Sequence, residues 1–225
     1  MRKIIKKLKT NDIGDMGIGA MIVFIAMVLV AGIAASVLVQ TANRLEIQAM
    51  QTGQETIGEV STGLAVTGIA GYRADGENNL SLMTITIQPR SGSFSIDLNQ
   101  TYIEISNSDQ KIILRYGWDN ASVFIDTGDI AGDLFDAAHY AGLTDQTFGI
   151  IVLEDPRNST SNATPVIKKG GKVMLTINLT QVFGTGLETR KDIWGVIQPE
   201  EGAAGVYAFT TPASYPTSKN VYTLY

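Results

Sequence analysis

The 225-residue chain contains no cysteine, which excludes disulfides, zinc ribbons and thiol catalysis together. Its single histidine, His139, can supply at most one member of a histidine metal site or a Ser-His-Asp triad. Proline is scarce, six in all, and none precedes Pro89. Charge is missing from Met16 to Asn43, a stretch without Asp, Glu, Lys or Arg. Cations are also few beyond the start. Arg2, Lys3, Lys6, Lys7 and Lys9 precede Gly14 with only Asp12 against them, whereas twelve basic and twenty-one acidic residues follow it. A body of that sign lacks the clustered Lys/Arg that displace phosphate counterions, so nucleic acid is not an expected partner.

What is present divides into an apolar start and a mixed remainder. With 44% hydrophobic and 17% charged residues, the chain can bury a core. Met16 to Val39 gives 24 uncharged, proline-free residues, about 36 Å of helix against a hydrocarbon core of about 30 Å. A secretory signal has an apolar region of only about 7–15 residues, so removal of the whole segment is not expected. The basic cluster before it places the N-terminus in the cytoplasm and the remainder outside. Ala31/Ala35 and Gly32/Ser36 are small-xxx-small pairs, which allow close approach of helices in lipid and predict packing against copies. The helical pattern continues through Leu45, Met50, Ile57, Val60 and Leu64. It predicts one helix from Asp15 to Thr62, about 70 Å long, with Gly63 in the left-handed C-terminal cap position.

Beyond Leu64 the texture changes to short β-branched and aromatic runs separated by Gly, Asn, Asp and Ser, among them "LSLMTITIQ", "KIILRYG", "FGIIVLE" and "VYAFTT". Such spacing predicts an antiparallel sandwich or barrel, of which an Ig-like β-sandwich is the expected form, giving an α+β chain overall. "DIAGDLFDAAHYAGL" predicts a short surface helix between strands. Six of the eleven asparagines, Asn79, Asn99, Asn120, Asn158, Asn162 and Asn178, stand in Asn-x-Ser/Thr tripeptides, the acceptor sequence of exported glycoproteins. Asn99 and Asn178 fall on the outward phase of predicted strands. Other chemistry is thin. "FIDTGD" contains one Asp-Thr-Gly, which reads as a turn closing a strand, since aspartic-protease chemistry needs two carboxylates. Asp126, Asp129, Asp133 and Asp136 offer oxygen ligands, but outside the EF-hand spacing. No phosphate-cradling glycine loop occurs, so no cofactor is expected.

"GDMGIGAMIVFIAMVLVAGIAASVLV" after a short basic leader resembles the N-terminus of archaellins, the subunits of the archaeal swimming filament. "QTGQETIGEVSTGL", "RSGSFSIDLNQTYIEIS" and "IQPEEGAAGVYAFTTPASY" resemble further segments of the same family. The resemblance implies a prepilin-type precursor cut by a membrane peptidase between Gly14 and Asp15, with Gly17 third in the mature chain. Asp12, Ile13 and Asp15 depart from the usual residues around such a cut. Gly19 takes the fifth mature position, where bacterial type IV pilins usually carry Glu. The implied organisation is a leader at 1–14, an assembly helix at 15–62 and an extracellular sandwich at 63–225. Its implied partners are copies of itself and related archaellins in an extracellular filament, the prepilin-type peptidase, and the cytoplasmic membrane before assembly. An adhesion pilin and a single-pass anchored surface binding protein are the alternatives the residues leave open.

Overall fold

A computed structural model describes residues 12–118, 121–129 and 132–225. Most of the basic leader and Asn120 lie outside the described residues. The chain divides into two compact units, Met1–Glu55 and Thr56–Tyr225.

One helix, α1, covers Asp12–Ser61. Within the described residues it is already helical at Asp12, ahead of the predicted start at Asp15, and it includes Gly14. A glycine inside a helix costs about 1 kcal/mol relative to alanine, which a helix of this length absorbs, and no proline stops it. The expected left-handed cap at Gly63 is not formed, because Gly63 has no positive φ. Instead Gly63 bridges in parallel to Ala203.

The second unit is a predominantly antiparallel sheet. Its strands are β1 (Leu64–Tyr72), β2 (Leu82–Pro89), β3 (Ile96–Asp97), β4 (Tyr102–Ser106), β5 (Lys111–Tyr116), β6 (Phe124–Ile125) and β7 (Thr147–Glu154). They continue as β8 (Val166–Ile167), β9 (Lys172–Asn178), β10 (Asp192–Gln198), β11 (Gly205–Thr210) and β12 (Val221–Thr223). Ten strands form one hydrogen-bonded path, β11-β10-β4-β5-β7-β9-β2-β1-β12 with β6 beside β7, while β3 and β8 pair separately. The layer β11-β10-β4-β5 joins the layer β7-β9-β2-β1-β12 through a two-rung parallel seam, Arg115↔Thr147 and Tyr116↔Phe148. The start of the path returns to β1, where the Leu64 amide donates to the Ala203 carbonyl at 3.1 Å.

Alternation packs the core. Ile85, Ile87, Ile103, Ile105, Leu114, Phe148, Ile150, Val173, Leu175 and Ile177 are buried from both layers. Gly195 sits in β10 because Tyr207 of β11 lies over it. A Cβ there would collide with the Tyr207 ring and the Glu104 carbonyl. The Tyr207 hydroxyl donates to that same carbonyl at 3.2 Å. Arg73, only 3% exposed, donates to the Glu77 carbonyl at 2.8 Å and to Asn220 Oδ1 at 3.1 Å, fixing the C-terminal segment.

Two local expectations give way to side chains that favour turns. Among the described residues of Asp129–Leu143, only Ala137–His139 forms a helical turn, a 3-10 turn. Asp133 accepts the backbone amide of Phe135, a bond that competes with the helix ladder, and Asp136 accepts that of Ala138 and caps the short turn. Strand β9 ends at Asn178, whose side chain accepts from the Gln181 amide at 3.2 Å and caps a short helix, α2 (Leu179–Phe183).

Asp155 organises the loop after β7. Its carboxylate accepts from the backbone amides of Ser159 at 2.6 Å and Thr160 at 2.7 Å. Burial works to raise its pKa, but the bonds from Thr160, Ser159 and Arg157 outweigh it and hold the carboxyl below its ordinary value. Because the folded pKa is depressed, this stabilisation is complete above the unfolded-state value and is lost as pH falls through the folded one. Asp155→Ala is therefore expected to lower Tm near neutrality, with the gap to the parent closing on acidification. Thermal melts across the acid range check this, and a gap independent of pH would contradict it.

Candidate functional site

The feature that demands an explanation is α1 itself. In its first unit every large apolar residue from Met16 to Val39 is exposed, Phe24 at 67% and Leu38 at 69%. Leucine, isoleucine, valine, phenylalanine and methionine occupy all sides of the helix, so no polar face remains for water. A helix apolar all round belongs in lipid or in a core. Each large side chain left in water forgoes about 1.5–3 kcal/mol, so the stretch forgoes tens of kcal/mol. The segment is long and apolar enough to cross a membrane.

Ala31, Gly32, Ala35 and Ser36 lie one turn apart on this surface, and a Cβ on Gly32 would meet nothing within 4 Å. Gly17 is equally open. Thr41, two residues past the apolar run, returns its hydroxyl to the Leu38 carbonyl at 2.9 Å. Asp12 to Asp15 lie in the helical backbone of α1, and the leader before Asp12 is outside the described residues.

In the second unit a collar closes the end of α1. The Thr62 amide makes the last helical bond, to the Gly58 carbonyl at 2.8 Å. Thr62 Oγ1 accepts from the Phe94 amide at 3.2 Å, and Ser93 Oγ accepts from the Gly63 amide at 3.1 Å. On the other side the Ala203 amide donates to the Thr62 carbonyl at 2.8 Å. Gly202, with φ +91°, brings its Cα against that carbonyl, and a Cβ there would collide with it. Phe94 covers Gly58 so closely that a Cβ would lie 2.8 Å from its ring. The collar comes from the Arg-Ser-Gly-Ser and Pro-Glu-Glu-Gly stretches. Both were visible in sequence as motifs, but only tertiary contact gives them a role.

The sequons differ in availability. Asn79 is half-buried and its Nδ2, the atom that would carry a sugar, donates to the Thr185 carbonyl at 2.8 Å. Asn162 accepts through Oδ1 from the Tyr116 hydroxyl at 2.7 Å, and burial pushes that phenol up to about 12, so it remains a donor at neutral pH. Asn178 is the helix cap described above and not a mid-strand residue. Asn99, unlike Asn178, lies outside a strand, in the bend after β3, and is exposed. Asn158 is exposed at a turn with φ 47°. Asn120 falls outside the described residues.

The acidic cluster serves its own loops. Asp126 Oδ1 accepts from the Thr127 amide at 2.7 Å and faces its hydroxyl at 3.0 Å. The Asp129 amide donates to the Asp126 carbonyl at 3.0 Å, closing the turn after β6. Among the described residues, no three acidic or histidine side chains converge on one point, Asp126, Asp129 and Asp133 included.

Residues 14–209 match the family described as archaeal-type flagellin. Flagellin B2 of Methanocaldococcus jannaschii is 43% identical over 209 residues, spanning 92% of this chain and 93% of the relative. Flagellin B3 of Methanococcus voltae is 37% identical, spanning 94% and 97%. The crystal structure of archaeal flagellin FlaB1 from Methanocaldococcus jannaschii superposes with a TM-score of 0.63 at 28% identity, over 72% of this chain and 96% of that one. The archaeal flagellum of Methanospirillum hungatei shares the fold, with a TM-score of 0.58 at 15% identity, over 88% of this chain and 95% of that one.

Proposed function

We propose that this chain, which belongs to the archaeal-type flagellin family and is a structural subunit of the archaeal motility filament, polymerises through α1 once its basic leader has been cut away. The observation that supports this is a helix apolar on every side and exposed throughout. In the membrane that helix is already out of water. Lipid tails are as apolar as its side chains, so moving to a bundle of copies gains nothing from the hydrophobic effect. Close packing decides the move, and Ala31, Gly32, Ala35 and Ser36 permit it. The leader opposes it, because each of its five cations costs several kcal/mol to bring into an apolar interior. A prepilin-type peptidase cutting between Gly14 and Asp15 removes that opposition.

Head-to-tail contacts that do not close give an open helical polymer. Outside the cell the balance then becomes one-sided. A subunit leaving the bundle would expose its helix to water at a cost of tens of kcal/mol, so the filament needs no covalent links, in keeping with a chain without cysteine. The acidic sandwiches form the outer surface, carrying glycan at some of the sequons. The pilin and anchored-receptor alternatives are not favoured by the family match.

The mature N-terminus tests the scheme. Mass spectrometry of sheared filaments is expected to find chains beginning at Asp15. Gly14→Val is expected to leave Met1 chains in the membrane with no filaments. Filaments built from uncut chains would sink the proposal.

A further inference from the structure

The exposed sequon at Asn99 borders a groove that the filament role leaves unused. Asn99, Gln100, Arg115, Tyr116, Trp118 and Thr147 help to line a cavity of about 560 Å³, within the range of about 300–1,000 Å³ typical of small-ligand sites. A second recess beside it shares Asn99, Gln100 and Arg115. Two side chains here are out of keeping with their surroundings. Trp118 is 66% exposed, a costly position for so large an apolar ring. Arg115 is exposed and, among the described residues, enters none of the ion pairs, although the body around it is strongly acidic.

Asn99 is built to point a substituent here. Its backbone amide is held by Asp97 Oδ1 at 2.8 Å. Thr101, the sequon hydroxyl, is buried and donates to the Asp97 carbonyl at 2.9 Å. The backbone on both sides of Asn99 is therefore fixed while its side chain is exposed. A wall with an indole face and a guanidinium suits a sugar. The apolar C–H face of the ring covers the indole, its hydroxyls remain in water, and an anionic substituent meets the fork of Arg115.

We propose that this groove seats the first sugars of a glycan carried by Asn99, with a ring stacked on Trp118 and an anionic group on Arg115. The proposal rests on the reading of the sequons as modified. A seated glycan covers the exposed indole and holds the carbohydrate along the sheet instead of free in solvent. The buried Thr101 hydroxyl further implies that sugar is attached before this segment folds.

The test uses full-length protein expressed in an archaeal host that N-glycosylates, compared with Asn99→Gln. Peptide mass spectrometry reads occupancy of Asn99, and hydroxyl-radical footprinting reads access to Trp118 against Trp194 as internal reference. The expected result is an occupied Asn99 and labelling of Trp118 reduced several-fold relative to Asn99→Gln, with Trp194 unchanged. In Arg115→Gln, occupancy is expected to persist while protection of Trp118 weakens. An occupied Asn99 with Trp118 labelled as in the variant would overturn the seating and leave the sequon reading intact. An unmodified Asn99 would overturn the seating, and absence of glycan from every sequon in the same spectra would overturn the sequon reading as well. Full protection in Arg115→Gln would remove the arginine from the site.

Discussion

Gly32→Arg is expected to abolish filaments while leaving the Tm of the sheet unit unchanged. Position 32 lies in the middle of the apolar run, on the small-residue face, with nothing within 4 Å in the isolated chain. A single helix in lipid tolerates the cation, at about 2.5–3.5 kcal/mol for insertion. A bundle of copies does not. Every subunit would bring the same unpaired charge into an apolar interior, at about 3–5 kcal/mol each. Set against the cost already met in lipid, the net penalty reaches about 2.5 kcal/mol, which lowers the affinity for each added subunit by up to about two orders of magnitude. Electron microscopy of sheared cell surfaces reads the loss, and membrane fractionation finds the unassembled chain. Gly32→Ala is the control, keeping the site small and uncharged, and should still assemble. Normal filaments from Gly32→Arg would refute a role for this face in the bundle.

Gly202→Ala is expected to destabilise the sheet unit strongly for the addition of a single methyl group. The residue has φ +91° and sits against the Thr62 carbonyl. Backbone strain for a side chain in such a region costs about 1–3 kcal/mol. Relieving the collision pulls Ala203 from its bonds with Thr62 and Leu64, each worth about 1 kcal/mol. The total is about 3–5 kcal/mol, a fall in Tm of about 10 °C for a domain of this size. Gly53→Ala in the same chain provides the contrast. Nothing lies within 4 Å of that position, and replacing a helical glycine adds up to about 1 kcal/mol of stability. Differential scanning calorimetry of the two variants separates a collar that depends on glycine from a general intolerance of substitution.

The helix was legible because its evidence is local. An uncharged, proline-free run from Met16 announces itself without knowledge of anything distant, and so do the small-residue pairs at Ala31 and Gly32. Strand texture was legible for the same reason, but strand number was not. What sequence did not reveal depends on pairings far apart in the chain. The parallel seam between β5 and β7 joins residues separated by a long excursion, and no periodicity marks it. Gly63 looks like a left-handed cap in sequence, yet its smallness is needed because Ala203 packs 3.0 Å from where its Cβ would be. Asn178 reads as the next outward residue of a strand, but its side chain ends the strand by capping α2. Ser93 and Phe94 carried no signal for the collar beyond lying in a motif. Trp118 and Arg115 were not singled out either, since their exposure is a property of the folded surface.

The way the sheet ends acquires significance when many copies stand side by side. On a filament the sheet units are held at a local concentration far above that of free proteins, where any open strand edge would invite neighbours to zip together. Here one terminal strand, β12, is only three residues long, and the approach to β11 is occupied by Leu64 at the start of β1. Such edges give a neighbouring copy little to extend. In the proposed assembly, order along the polymer is thereby left to the helices, and the sheet units can crowd together without dictating how the filament is built.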